Sequence, residues 1–444
     1  MNRREFLLAS AAMAAPPLTG LRVSDNQRFL RHADGRPFFY LADTAWELFH
    51  RLDKAQTIEY LDNRSAKGFT IIQAVALAEF EGLTEPNAEG NLPLENGDPR
   101  RPVDAYFRHV DWVFEEAGRR GLFIGLLPTW GNKVVQAPWE KKNEVIFDGS
   151  TAYDYGKWIG ARYAKVNNLI WILGGDRSPN TVVPVWREMA RGIREKDTSH
   201  HLMTYHPQGN GTSSESLHGE PWLDFNMMQS GHGKREIRND LMVAKDYALV
   251  PIKPVIDGEP RYEDHPVNWK PDENGWFDDT DVRQAAYWAV FAGAAGHTYG
   301  CHDIWQFFSP KRPPVAFART EWQVAMNLPG ATQMGHLRRL MEGLDYFTRL
   351  PDQTIIEGPD GEGGEHMQAT RGRNYAMVYI PTGKPFSARL ERVAAKKVRA
   401  SWFNPRNGSR TKIGDFDGNL VQEFTPPGKA ERGNDWVLLL EMKP

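Results

Sequence analysis

The chain has 444 residues, with 54 basic and 57 acidic side chains, one cysteine and fifteen tryptophans. That length exceeds one small core and suits a barrel of roughly 250 to 350 residues plus a smaller companion domain. The near-even charge carries no broad footprint for nucleic acid, and a lone Cys301 excludes an intramolecular disulfide framework and a four-cysteine zinc site.

The N-terminus reads MNRREFLLASAAMAAPP. Arg3 and Arg4 precede the short apolar stretch Phe6, Leu7 and Leu8, then an alanine-rich segment with an A-x-A site at Ala12 to Ala14. This is a basic n-region before an h-region too short to span a bilayer. The R-R-x-F-L core resembles a twin-arginine export signal. Residues 1–20 are therefore expected to be an export signal, and the protein periplasmic or extracellular. No other stretch approaches the roughly 20 apolar residues that a membrane span needs.

Strand-like apolar runs then alternate with helical patterns. FFYLADTAW (38–46), FTIIQAVAL (69–77), LFIGLLPTWG (122–131) and NLIWILGGD (168–176) fill the first half. HLMTYHPQG (201–209), WLDFNMMQSGHG (222–233), KPVIDGEPRYE (253–263) and HTYGCHDIWQF (297–307) fill the second. Near-continuous apolar strands belong to parallel sheets buried on both faces. Eight in series predict an α/β fold, a (β/α)8 TIM barrel over residues 21–350. No G-x-G-x-x-G or Walker-type loop competes with that reading. From 351 to 444 short strands between Gly, Pro and Asn turns predict a small all-β sandwich.

In such a barrel the site lies at the C-terminal ends of the strands. Those ends carry Asp43 and Trp46, Gln73 and Glu79, Trp130, Asp176, His206, Gln229 and His232, Glu259, and His302 with Trp305. Polar groups mixed with indoles suit a sugar, whose hydroxyls need partners and whose C–H faces need flat apolar surfaces. Asp176, on the fourth strand, and Glu259, on the seventh, form a candidate carboxyl pair for glycosidic cleavage. Other readings stand beside this one. Asp176 is also placed to cap the next helix, and Glu259 to pair with Arg261. Asp257 and Glu263 flank Glu259 as rivals, and Glu79 and Asp43 are further candidates for the acid. Trp46, Trp130 and Trp305 suit either core or sugar platforms.

WILGGD and VIDGEPRYE, in a barrel that opens FFYLADTAWELF, resemble the apiosidase-like family, glycoside hydrolase family 140. NYAMVYIPTG, SWFNPRNGS and DWVLLLE resemble the collagen-binding-type β domain that accompanies it. The resemblance spans nearly all of the chain after residue 20. It implies a retaining glycosidase acting on apiose-containing pectic side chains, with Asp176 as acid/base and Glu259 as nucleophile. Asp43, Trp46, Trp130, His206, Gln229, His232, Arg261, His302 and Trp305 are then expected to bind a plant-type polysaccharide or oligosaccharide. No cofactor is expected, and no metal, because His200, His201, His206, His218 and His232 form no compact ligand motif. DFDGN (415–419) lacks the later glutamate of a calcium loop and reads as a turn. Cys301 reads as a small buried hydrophobe. A glycosidase of other sugar specificity and a non-catalytic glycan-binding protein are the competing functions.

Replacing Arg3 and Arg4 together by lysine is expected to leave an uncleaved precursor in the cytoplasm. Cell fractionation with N-terminal sequencing checks this, and unchanged secretion would count against the twin-arginine reading.

Overall fold

A computed structural model of the chain describes residues 18–138, 140, 142 and 144–443. The expected export signal lies, up to residue 17, outside the described residues. Three short strands, β1 (Leu21–Val23), β2 (Leu30–His32) and β3 (Pro37–Phe38), form an antiparallel sheet. Phe38 packs edge-on against Phe123 at 5.2 Å, closing the end of the barrel where the strands begin.

The barrel strands are β4 (Tyr40–Thr44), β5 (Ile71–Val75), β6 (Phe123–Leu127), β7 (Leu169–Gly174) and β8 (Met203–His206). After the short β9 (Gly211–Thr212) come β10 (Asn226–Gln229), β11 (Val255–Asp257) and β12 (Gly296–Tyr299). Every residue of the eight parallel strands is buried, because the sheet has side chains inside and helices outside. β12 pairs with β4 and carries the ladder round. Between β8 and β10 three hydrogen bonds replace a ladder, Asp224 N–H to Met203 O at 2.8 Å, Met203 N–H to Asp224 Oδ2 at 2.7 Å and Thr204 Oγ1 to Phe225 O at 2.7 Å.

The strands are shorter than the apolar runs that announce them. The strand Gly296–Tyr299 takes in only the first three residues of the run from 297 to 307, and a short helix, His302–Trp305, follows. Loops crossing the barrel mouth are themselves buried, so apolar residues continue past the last ladder bond.

From Leu350 the chain builds two antiparallel sheets. One has six strands, with Gln368–Arg371, Tyr375–Ile380, Trp436–Met442 and Lys397–Phe403 at its centre. The other joins Ile356–Glu357, Phe386–Arg389 and Val421–Phe424. Val378, Leu438, Phe386 and Phe424 share the core between them, which makes a sandwich. The opposite face of the larger sheet packs Tyr375, Met377, Tyr379 and Leu439 into the barrel's own core.

The contact centres on the helix Asp279–Phe291, which follows β11. Tyr287 stacks on Tyr379 at 4.8 Å, and Trp288 donates to His366 O at 2.8 Å. Arg283 forks onto Asp435 through Nε at 3.0 Å and Nη2 at 2.8 Å, with both side chains out of water. Removing Asp435 leaves Arg283 with the half-buried Asp279 and Gln333 as partners and its Nε and Nη2 donors without the carboxylate. Asp435→Ala is expected to cost about 3–5 kcal/mol, read as a lower denaturation midpoint. A midpoint equal to that of the parent would show that the sandwich does not brace the barrel here.

Candidate active site

The loops after the strands enclose a cleft of about 640 Å³. Trp46 comes from β4, Glu79 and Phe80 from β5, and Trp130 from β6. Asp176 follows β7, Gln229 ends β10, and His232 lies just beyond it. Glu259, Tyr262 and His265 follow β11, and His302 and Trp305 follow β12.

Asp176 reaches this cleft through a turn that two glycines make possible. Gly174, Gly175 and Asp176 have φ of 89°, 116° and 50°, all in the left-handed half of the map. A Cβ on Gly174 would lie 2.3 Å from His206 O, and one on Gly175 2.7 Å from the Trp130 ring. Only glycine fits both the backbone and the space. Asp176 is not a helix cap, since the next helix begins at Val183 with Val182 before it.

About a third of the Asp176 side chain, 31 %, touches the cleft, and protein encloses the rest. Its pKa is raised, first by burial and then by the charge of Glu259; Arg177, His206 and a hydrogen bond with Gln229 pull less strongly the other way. Burial pushes Glu259 up as well, but His206 and His232 outweigh it and hold this carboxyl below the carboxylate range. His232 Nε2 lies 3.0 Å from Glu259 Oε1. His206 Nδ1 accepts the Asp176 backbone N–H at 3.3 Å, so a neutral His206 carries its proton on Nε2. That nitrogen lies 3.1 Å from Glu259 Oε2, within ion-pair distance but short of hydrogen-bond alignment. One acid thus holds its proton toward neutral pH while its neighbour stays ionised, the separation that acid–base work on a substrate requires.

A third carboxyl lines the cleft. Glu79 is pushed up to about 8, by burial and then by the charge of Asp176. Lys133, buried beside Glu144 in an ion pair, donates to Glu79 O at 3.1 Å and fixes that loop.

The remaining expected site residues divide by depth. Trp46 and Trp130 line the cleft but are only 2 % and 3 % exposed, their rings 5.2 Å apart against His206. His302 lines it with both nitrogens committed, Nε2 to Ala316 O and Nδ1 to the Trp305 indole. Burial pushes His302 down to about 4 and keeps it neutral, and Trp305 then packs against Phe80.

Three expectations need correction. Asp43 is sealed beneath the cleft, where Arg64 Nε at 2.6 Å and the Tyr60 hydroxyl hold it against the helix Lys54–Ala66. Arg261 points outward under the sandwich to Gln284 at 3.0 Å and the Arg235 carbonyl, and does not pair with Glu259. His206 is fully buried below the floor, touching the acids and not the cleft. Of the rivals, Asp257 accepts from Ser230 and Asn239, and Glu263 from Tyr299 and the Gly330 N–H, all away from the cleft. Sequence reasoning missed Phe80, Tyr262, His265, Asn268 and Trp269. Their one signal is proximity to a strand end, diluted by the long loops that follow β5 and β11. Among the described residues no group of three or more His, Cys, Asp or Glu is placed to hold a metal, and no helix is long and apolar enough to cross a membrane.

A parallel barrel with paired carboxyls of opposite protonation in an aromatic cleft is the frame of a glycoside hydrolase, and comparison with known proteins agrees. The family model "Apiosidase-like, catalytic domain" matches residues 24–348, and "Putative collagen-binding domain of a collagenase" matches residues 350–441. A solved glycoside hydrolase shares 35 % identity at a TM-score of 0.89, over 96 % of this chain and 97 % of that one. Another, from Bacteroides vulgatus ATCC 8482 and described as glycoside hydrolase family 5, shares 34 % at 0.89, over 96 % and 93 %. A family 27 β-L-arabinopyranosidase from Geobacillus stearothermophilus, 10 % identical at 0.54 over 92 % and 97 %, shares the fold alone. A comparison with curated proteins finds no match. The chain belongs to the apiosidase-like family and is a glycosidase.

His232→Ala is expected to raise the pKa of Glu259, because it removes a donor to the ionised form. The acidic limb of kcat/KM, where this carboxyl takes up its proton, should move to higher pH. A hydrogen bond to a charged group corresponds to a loss of about ten- to a hundredfold at the optimum. A pH–rate profile checks both, and an unmoved limb would remove Glu259 from the titration.

Proposed function

We propose that the protein hydrolyses apiosyl or closely related glycosidic bonds in pectic side chains, with retention of configuration. Asp176 protonates the leaving oxygen and Glu259 attacks the anomeric carbon. Asp176, now ionised, then takes a proton from the water that releases the glycosyl group, which returns both carboxyls to their starting states. The observation that carries this reading is the pair of opposed shifts, Asp176 raised and Glu259 lowered within one cleft. The fixed Glu259 Oε1 and the poorly aligned Oε2 also suit a nucleophile, since an oxygen without a well-aligned partner keeps a lone pair available. The family description supports the apiosyl substrate. Pectic polymers lie outside the cell, and that fits the export signal read at Arg3 and Arg4.

Glu259→Gln is expected to lower kcat by more than about a thousandfold, as no covalent intermediate forms. Asp176→Asn should still react with a substrate bearing a good leaving group, stall at deglycosylation, and recover with azide. Sugar release from rhamnogalacturonan fractions and NMR of the first-formed anomer check the assignment. An inverted first product, with no azide rescue of either variant, defeats the double displacement. Full activity of Asp176→Asn on a natural substrate would move the acid to Glu79.

A further inference from the structure

The segment after Glu263 carries a second kind of feature. Asn268 and Trp269 stand at the cleft wall in consecutive left-handed conformations, φ 56° and 55°. Asparagine tolerates that region, but a tryptophan there is a true outlier. Surrounding bonds hold it in place. Pro266 bridges to Trp276, Val267 N–H donates to Gly275 O at 2.9 Å, and Asn268 N–H donates to His232 O at 2.9 Å. The strained backbone does not serve burial, since Trp269 is 50 % exposed. Its ring stands nearly perpendicular to the imidazoles of His265 and His232, with centroids 5.4 and 6.0 Å away. Trp46 and Trp130 are sunk in the floor, and Phe80 and Trp305 are half-buried against each other, whereas Trp269 presents half of its surface openly at the rim. Strain kept at a cleft edge to hold a large aromatic half in solvent marks a binding element.

We propose that Trp269 is an outer platform for a sugar ring beyond the one whose bond is cleaved, and so sets a preference for longer substrates. An indole half in water offers the apolar area that the C–H face of a pyranose or furanose covers. The assignment rests on the glycosidase cleft and not on which sugar it hydrolyses.

The test uses the full chain and the pectic oligosaccharide pool that the intact enzyme degrades, separated by length. For Trp269→Ala, kcat/KM is expected to fall roughly three- to tenfold more on the longest fraction than on the shortest fragment still cleaved. The difference should lie in KM and not in kcat. Trp269→Tyr, which keeps a flat ring, should restore most of the length preference. Trp269→Asn should lose the preference while melting no lower than the parent, because asparagine accepts the left-handed backbone. Equal losses on long and short fragments, or none on either, overturn the proposal. So does an early-melting Trp269→Asn, which would mark a packing residue. If the intact enzyme releases nothing from any pectic pool, the apiosyl reading fails, and the same comparison is made on size-graded oligosaccharides of the glycan it does cleave.

Discussion

The site depends on one buried negative charge, that of Glu259. A carboxylate removed from water needs donors close by, or it takes up a proton. His232, from the loop after β10, supplies a hydrogen bond, and His206, at the end of β8, lies within ion-pair distance of the other oxygen. Once that charge is fixed, a second carboxyl in the same cleft ionises against it. The rise in Asp176 comes first from its own burial and then from the charge of Glu259, and His206 touches both acids.

Holding these groups in register is a task for the scaffold. Asp176 stands on a turn without side-chain bulk, and its position comes from hydrogen bonds between neighbouring loops. Gly175 N–H donates to His206 O, and Gly131 N–H donates to Gly175 O. Glu259 follows a strand of only three residues, Val255–Asp257. The helix after it, Asp279–Phe291, is clamped from outside by the sandwich through Arg283–Asp435, Tyr287–Tyr379 and Trp288–His366. The β domain thus braces from outside the helix that joins β11 to β12, the two strands whose following loops carry Glu259 and His302.

Sequence patterns revealed the parts of the fold that follow from periodicity. Eight buried runs gave the barrel, and the change to short strands near residue 350 gave the second architecture. Asp176 was legible because G-G-D interrupts an apolar strand, which sterics reserve for a special turn. Asp43 was misread for a related reason: a strand of five buried residues shows the same polar break whether the acid faces the cleft or a helix behind it. The direction is decided by Arg64 and Tyr60, about twenty residues on, and no local pattern reports that pairing. Arg261 failed in the same way, since two steps past Glu259 the chain has already turned outward toward Gln284. Trp269 lay beyond reach because its left-handed backbone, like its exposure, is a property of the folded loop.

Three carboxyls share the cleft, yet in mildly acid solution, below the raised value of about 6 at Asp176, the surroundings favour one full negative charge in it. Glu79, pushed up to about 8, and Asp176 then keep their protons, and Glu259 alone is held ionised. Three ionised groups would repel one another in a space screened from water, and the repulsion would blur which group attacks and which donates. A single localised charge suits the proposed reaction, in which positive charge develops at the anomeric carbon as the bond breaks. Two neutral acids remain as donors for oxygens. In the proposed reaction Asp176 gives up its proton as the second of the two causes that raise its pKa, the charge of Glu259, is consumed in the first step. In the proposed double displacement that charge disappears when Glu259 is glycosylated, the pKa of Asp176 falls, and the residue stands as a carboxylate that can accept a proton from water. Electrostatic coupling between two residues after the fourth and seventh barrel strands thus suits the change of role that the proposed double displacement needs.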